Sequence, residues 1–189
     1  MNEFTEKLIH GRVHVSPKRL ANPGPDPSQK NQILLAANAA PDHGRMMPWR
    51  FIEIGQGSRD TLGEAFYQCL LDRDQSASPI QLQEAREKAL RGPLLLLAIA
   101  NYEDATNEIS KEEKLVSLGC AIQNILLSAY ALGFGSGLSS GKALQSPRLR
   151  NLFNLADHED PICFITIGTV TQNKLGRIRP SVADYHSIF

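Results

Sequence analysis

Apolar and polar positions along the chain switch repeatedly between helical and strand-like spacing. Residues 2–10 have the spacing of a short helix. Residues 11–27 then carry Pro17, Pro23, Pro25 and Pro27. Their fixed φ and missing amide donors predict an ordered, extended connection. Asp26-Pro27 has the form of a helix start, with Asp26 as N-cap and proline at the first helical position. Ile33, Leu34 and Ala37 continue that helix, which should end near Ala40 because Pro41 disfavours helical geometry at the residue before it. Residues 41–49 predict a compact loop, and Arg50–Ile54 alternates like a half-buried strand.

A helix opening at Ser58 sets Leu62, Phe66 and Leu70 on one face, and another over 79–90 uses Leu82, Ala85 and Ala89 before Gly92-Pro93 stops it. Leu94–Ala100 is wholly apolar, which predicts a strand buried on both faces. The next helix runs from Glu108 or Lys111 to Leu132. Its second half, LGCAIQNILLSAYAL, is apolar nearly all round, as in a core or a subunit interface. Gln123, Asn124 and Ser128 make it a poor membrane span, and Gly133 is a natural left-handed stop. GFGSGLSSG, residues 133–141, reads as a short strand or turn. A helix near 147–154 and a strand over Ile162–Val170 follow. The tail, 171–189, carries Arg177, Arg179 and Pro180 and ends in an apolar-aromatic run, which predicts packing on a partner chain. This order predicts an α+β fold in a single domain over residues 1–189, with helices around a small mixed or antiparallel sheet.

Composition mainly excludes. With 42% hydrophobic and 21% charged residues, the 189-residue chain is globular in character. Lys+Arg and Asp+Glu stand at 20 each, so no basic excess points to nucleic acid. The N-terminus lacks an apolar signal core and no apolar run reaches spanning length, which predicts a cytoplasmic protein without a membrane partner. Cys69, Cys120 and Cys163 form neither a disulfide framework nor a CxxC pair.

The candidate chemistry lies in loops. Gly133, Gly135, Gly137 and Gly141 follow a helix, whereas a dinucleotide fingerprint follows a strand and opens a helix. These glycines fit either a helix stop with close backbone approach, or amides that face a flat or anionic ligand together with the Ser139 and Ser140 hydroxyls. His43 in PDHG is either a local hydrogen bonder or a site residue. No HExxH, GxSxG or clustered His/Asp pair is present, so neither a metal site nor a protein nucleophile is expected. Trp49 reads as a core anchor, and Met46 and Met47 as gap-fillers. Arg12, Lys18, Arg19, Arg45, Arg177 and Arg179 fall in loops, where binding residues concentrate. Arg45 reads as solvated charge, while Arg12, beside His14, is suited to a phosphate.

Residues 40–54, APDHGRMMPWRFIEI, resemble the FMN-dependent nitroreductase family, specifically its short YdjA-like branch. Arg12-Val13-His14, Arg19-Leu20-Ala21-Asn22-Pro23-Gly24-Pro25, Gly119-Cys120-Ala121, Gly133-Phe134-Gly135, Ser146-Pro147 and Gly168-Thr169 fit the same pattern, so the resemblance covers nearly the whole chain. It implies a nitroreductase-like fold in a domain-swapped homodimer with FMN at the subunit interface. It also implies hydride uptake from NADH or NADPH and delivery to nitro compounds or similar flat acceptors by a ping-pong scheme. By position, Arg12, Val13 and His14 match the phosphate- and ring-binding turn, and His43 a flavin contact from the other subunit. Leu138, Ser139 and Ser140 match the flavin-contacting segment, and Ser128–Gly133 a nicotinamide-cofactor segment. The branch can carry arginine where Val13 and Ala39 stand, serine where His14 stands, and Trp-Arg where Leu138-Ser139 stand. The turn from Arg12 to Arg19 is two residues longer here. Arg179 or Lys18 is therefore expected to replace a missing cation at the phosphate. Two rivals stand beside the oxidoreductase: a low-turnover flavin-binding protein for storage or sensing, and a cofactor-free interaction domain.

Overall fold

The structure is a computed structural model that describes residues 3–103, 108–172 and 178–189. Arg177, named above among the loop cations, lies outside the described residues.

The core is organised by two antiparallel strands, β3 (Leu94–Asn101) and β5 (Glu159–Val170). β2 (Trp49–Glu53) pairs with the free edge of β3. β4 (Gly135–Ser139) pairs with the other edge of β5, and the short β1 (Leu20–Ala21) pairs with its last residues, Thr169 and Val170. All named strands pair antiparallel; among the described residues the one parallel link is an isolated bridge between His14 and Ser136. β1 was not expected from sequence, because two residues carry no periodicity.

Alternation along β3 divides the core. Leu94, Leu96, Ala98 and Ala100 face one side, against α2 (Pro27–Leu35) and α5 (Lys111–Ala131). Leu95, Leu97 and Ile99 face the other, toward Leu62 and Cys69 of α3 (Arg59–Arg73) and Ala89, which follows α4 (Pro79–Glu87). A strand clad on both faces needs no polar alternation, hence the unbroken apolar run. Short helices α1 (Glu3–Gly11) and α6 (Pro147–Leu152) complete the set. The start of α2 is as expected: Asp26 accepts from the Gln29 amide at 2.8 Å, the Gln29 side chain accepts from the Asp26 amide, and Pro27 leads the helix.

α5 is long and apolar enough to cross a membrane by length and composition alone, with a hydropathy of 1.2. In the fold it is a core helix: Leu118, Ala121, Ile122, Ile125, Leu126 and Ala129 are buried against the sheet. Burial is one-sided around the axis, and the apolar side chains of Leu115, Val116 and Tyr130 are exposed. Trp49 is the expected core anchor. Met47 is not a gap-filler. Its amide and that of Met46 donate to the Asp42 carboxylate at 2.7 and 3.2 Å, and positive φ at Arg45 and Met47 turns the Met47 side chain to solvent.

Charged groups are built into this core, among them Arg59 and Glu159. Arg59 is 2% exposed and donates to the carbonyls of Ile54, Ala89, Arg91 and Pro93 at 2.8–3.4 Å. Glu159 receives a bidentate hydrogen bond from Arg50, with Nη2 to Oε2 at 2.8 Å. That bond holds the Glu159 carboxyl below its ordinary range, against the opposing effect of burial.

A carboxylate whose pKa is lowered on folding stabilises the fold above its unfolded value, about 4.3, and ceases to as pH falls through the folded one. Glu159→Gln should cost about 1–3 kcal/mol at neutral pH. It should also flatten the loss of stability between about pH 5 and 3. Urea melts across that pH range read both effects.

Candidate functional site

The segment that follows α1 lies along β4. The Val15 amide donates to the Ser136 carbonyl at 2.9 Å, and His14 bridges Ser136. The approach needs glycine. A Cβ on Gly137 would sit 2.1 Å from the Val15 carbonyl oxygen, and one on Gly135 would sit 2.4 Å from the Val170 side chain. Gly133, at φ +86°, closes α5. The glycine cluster is thus a helix stop followed by a strand on which a neighbouring backbone can rest.

This packing opens a cavity of about 470 Å³ whose walls include Arg12, Val13, His14, Tyr130 and Ser136. Arg12 Nε is buried and has no hydrogen-bond partner among the described residues. The Arg179 Nη2 group donates to the carbonyls of His10 and Arg12, both at 3.1 Å. Two guanidinium groups therefore stand together. Burial, and then the Arg179 charge, push the Arg12 pKa below its ordinary value. No acidic side chain lines this cavity. Of the two cations expected near Arg12, Arg179 reaches its backbone carbonyl; neither Arg179 nor Lys18 lines the cavity.

Ser139 and Ser140 lie further along the same chain segment and line a second cavity of about 310 Å³. Val15 faces the first cavity and Pro17 the second, so the two openings adjoin along residues 15–17. Leu138, 37% exposed, stands on β4 between Ser136 and Ser139 and lines neither.

His43 is elsewhere. It sits in the turn His43–Arg45, with Nδ1 2.8 Å from the Glu113 carboxylate in the first turn of α5. Tyr130, on the Arg12 cavity, lies in the last turn. At a helical rise of ~1.5 Å per residue, Glu113 and Tyr130 are about 25 Å apart. One chain therefore does not bring His43 to Arg12. Arg45 is exposed, as expected. Among the described residues no cluster of His, Cys, Asp and Glu could hold a metal.

Arg19, one of the loop cations named from sequence, also lines the first cavity, whereas sequence reasoning missed Ser136 and Gln172. Nothing in their spacing marks them, because the pairing that brings them in joins distant segments. Tyr130 lay inside the segment matched to the nicotinamide cofactor, and its hydroxyl lies 2.4 Å from where a Gly11 Cβ would be.

The sequence model of the Nitroreductase family matches residues 15–169. The chain belongs to that family. His43 and residues 138–140 fall inside the match, while Arg12–His14 and Arg179 flank it. The chain is 32% identical over 164 residues to the Escherichia coli protein named "Putative NAD(P)H nitroreductase YdjA", covering 87% of this chain and 86% of that one. It is 30% identical over 154 residues to a Haemophilus influenzae protein of the same general name, covering 82% and 83%. Among solved structures, the nitroreductase-like family protein from Bacillus cereus superposes with a TM-score of 0.83 at 18% identity, over 97% and 94% of the two chains. An FMN-dependent nitroreductase from Clostridium difficile superposes at 0.67 and 18% identity, over 95% and 96%. The expected nitroreductase-like fold is therefore correct.

Gly137→Ala should force residues 14–15 away from β4. The cost should be about 1–3 kcal/mol, or several degrees in Tm, with secondary structure retained. Thermal denaturation followed by circular dichroism measures both.

Proposed function

We propose that this chain is an FMN-dependent NAD(P)H oxidoreductase that reduces nitro compounds or similar flat electron acceptors. The observation that carries the proposal is Arg12, on a cavity with no acidic wall among the described residues, with a buried Nε that no described residue partners and with the Arg179 guanidinium against its backbone carbonyl. A phosphate dianion would relieve their repulsion and satisfy that donor, and a guanidinium suits it well. The names of the bacterial relatives and of the Clostridium difficile structure support the same chemistry.

FMN, when bound, supplies hydride transfer from NADH or NADPH to the acceptor. The chain's own part is placement. In this reading Arg12 and Arg179 hold the phosphate, Val13 and His14 border the ribityl and ring, and Leu138, Ser139 and Ser140 line the ring edge. No side chain is asked to act as nucleophile. His43 would come from a second copy of the chain, since its own Arg12 is out of reach along α5. The exposed apolar side chains of α1 and α5, among them Phe4, Leu115 and Val116, support a homodimer, because a monomer gains nothing by exposing them. The low-turnover flavin carrier remains as a second reading on one observation. Val13 gives the cavity wall an isopropyl group where the branch can carry arginine.

Purified protein should be yellow, and anaerobic NADH or NADPH should bleach it. Re-oxidation by a nitroaromatic supports the oxidoreductase; a yellow protein that does not turn over supports the carrier. Arg12→Ala and Arg179→Ala should each weaken FMN about 10–100-fold, the loss of one charge-assisted hydrogen bond. Arg45→Ala should not. Fluorescence titration of flavin into apoprotein gives these affinities.

A further inference from the structure

We infer that the second cavity is a binding site for a small aromatic acid, and that it selects anionic electron acceptors. The selection of acceptors rests on the oxidoreductase reading above; the binding of the acid does not.

Four cations line this cavity: Arg73 at the end of α3, Lys88 and Arg91 after α4, and Lys142 after β4. No acidic side chain lines it. The chain as a whole has equal numbers of acidic and basic residues, so the concentration of one sign here is local. Neighbouring arginines on the same helical layer are neutralised. Arg86 pairs with Glu64, and Arg148 pairs with Asp72. The four wall cations form no such pair with a described residue. Asp74, next to Arg73, is held by the amide and hydroxyl of Ser76, at 3.0 and 2.6 Å.

The floor has the opposite character. Phe66, Leu70, Leu144 and Phe164 form it, and the Phe66 and Phe164 rings meet edge-on with centroids 5.6 Å apart. An apolar floor under a cationic rim fits a molecule with a flat body and an acidic head. The volume, about 310 Å³, lies at the low end of small-molecule pockets, which favours a single ring over a whole dinucleotide. Ser139 and Ser140 stand on the same wall, so the occupant would lie next to the segment assigned to the flavin.

The probes are 4-nitrobenzoate and its neutral analogue 4-nitrobenzamide, titrated by calorimetry into the protein as isolated. The acid should bind roughly tenfold more tightly at low salt, a preference that rising salt erodes. Lys88→Gln combined with Lys142→Gln should bring the two affinities together; both residues are exposed, so the fold should tolerate the change. Equal binding of acid and amide by the unaltered protein would overturn the inference, as would a preference that survives the double substitution. If FMN and the acid exclude one another, the cavity belongs to the flavin and the inference fails. If NADP+ displaces the acid, the cations serve dinucleotide phosphates and the small-acid assignment fails. A colourless protein that still prefers the acid would retain the site and sink the oxidoreductase reading instead. In turnover, the double variant should raise KM for the acid and leave kcat largely intact.

Discussion

β5 is hydrogen-bonded along both edges, and the arrangement of the molecule depends on that sharing. One edge takes β3 and through it the whole apolar core. The other takes β4, which has no other strand partner. A core strand so anchored cannot move, and the glycine strand is therefore fixed in depth and direction. The Arg12 segment rests on that strand through one amide bond and a close backbone approach. Rigidity is passed from the buried sheet to a surface pair of guanidinium groups in three steps. Sites built this way keep their geometry without a dense network of their own.

Electrostatics and packing divide the work. The interior tolerates charges such as Arg59 and Glu159 only because they are hydrogen-bonded: Arg59 to carbonyls, Glu159 to Arg50. The cavities do the reverse. Arg12 and Arg179, and separately the four wall cations, form no ion pair with a described residue. Leaving charge unbalanced at a surface costs little; leaving it unbalanced in the core costs several kcal/mol. The protein keeps its uncompensated charge where a ligand can reach it.

Much of this was legible from sequence, for identifiable reasons. Long apolar runs marked β3, α5 and β5, and Asp26-Pro27 marked the start of α2, because those signals are local. The family pattern around residues 40–54 pointed to the fold that the structural likenesses bear out. What was not legible depends on distant pairing. β1 exists only because Leu20 and Ala21 meet Val170 and Thr169. The glycines left two meanings open until Val15 was seen lying on Gly137. Met47 turned outward because Asp42 holds its amide, a contact that side-chain type does not predict. The four cations of the second cavity come from three separate stretches of chain, and no spacing rule joins them.

The staple formed by Arg59 has a bearing on how such a protein can change over time. It grips the backbone at Ile54, Ala89, Arg91 and Pro93, not the side chains beside them. The path of the chain past Lys88 and Arg91 is thereby set independently of which groups those positions carry. Mutation can exchange the cavity's fringe of charges, and with it the molecules admitted, while the scaffold beneath pays nothing. Substrate range and structural integrity are inherited through different residues, so one can drift while the other is conserved.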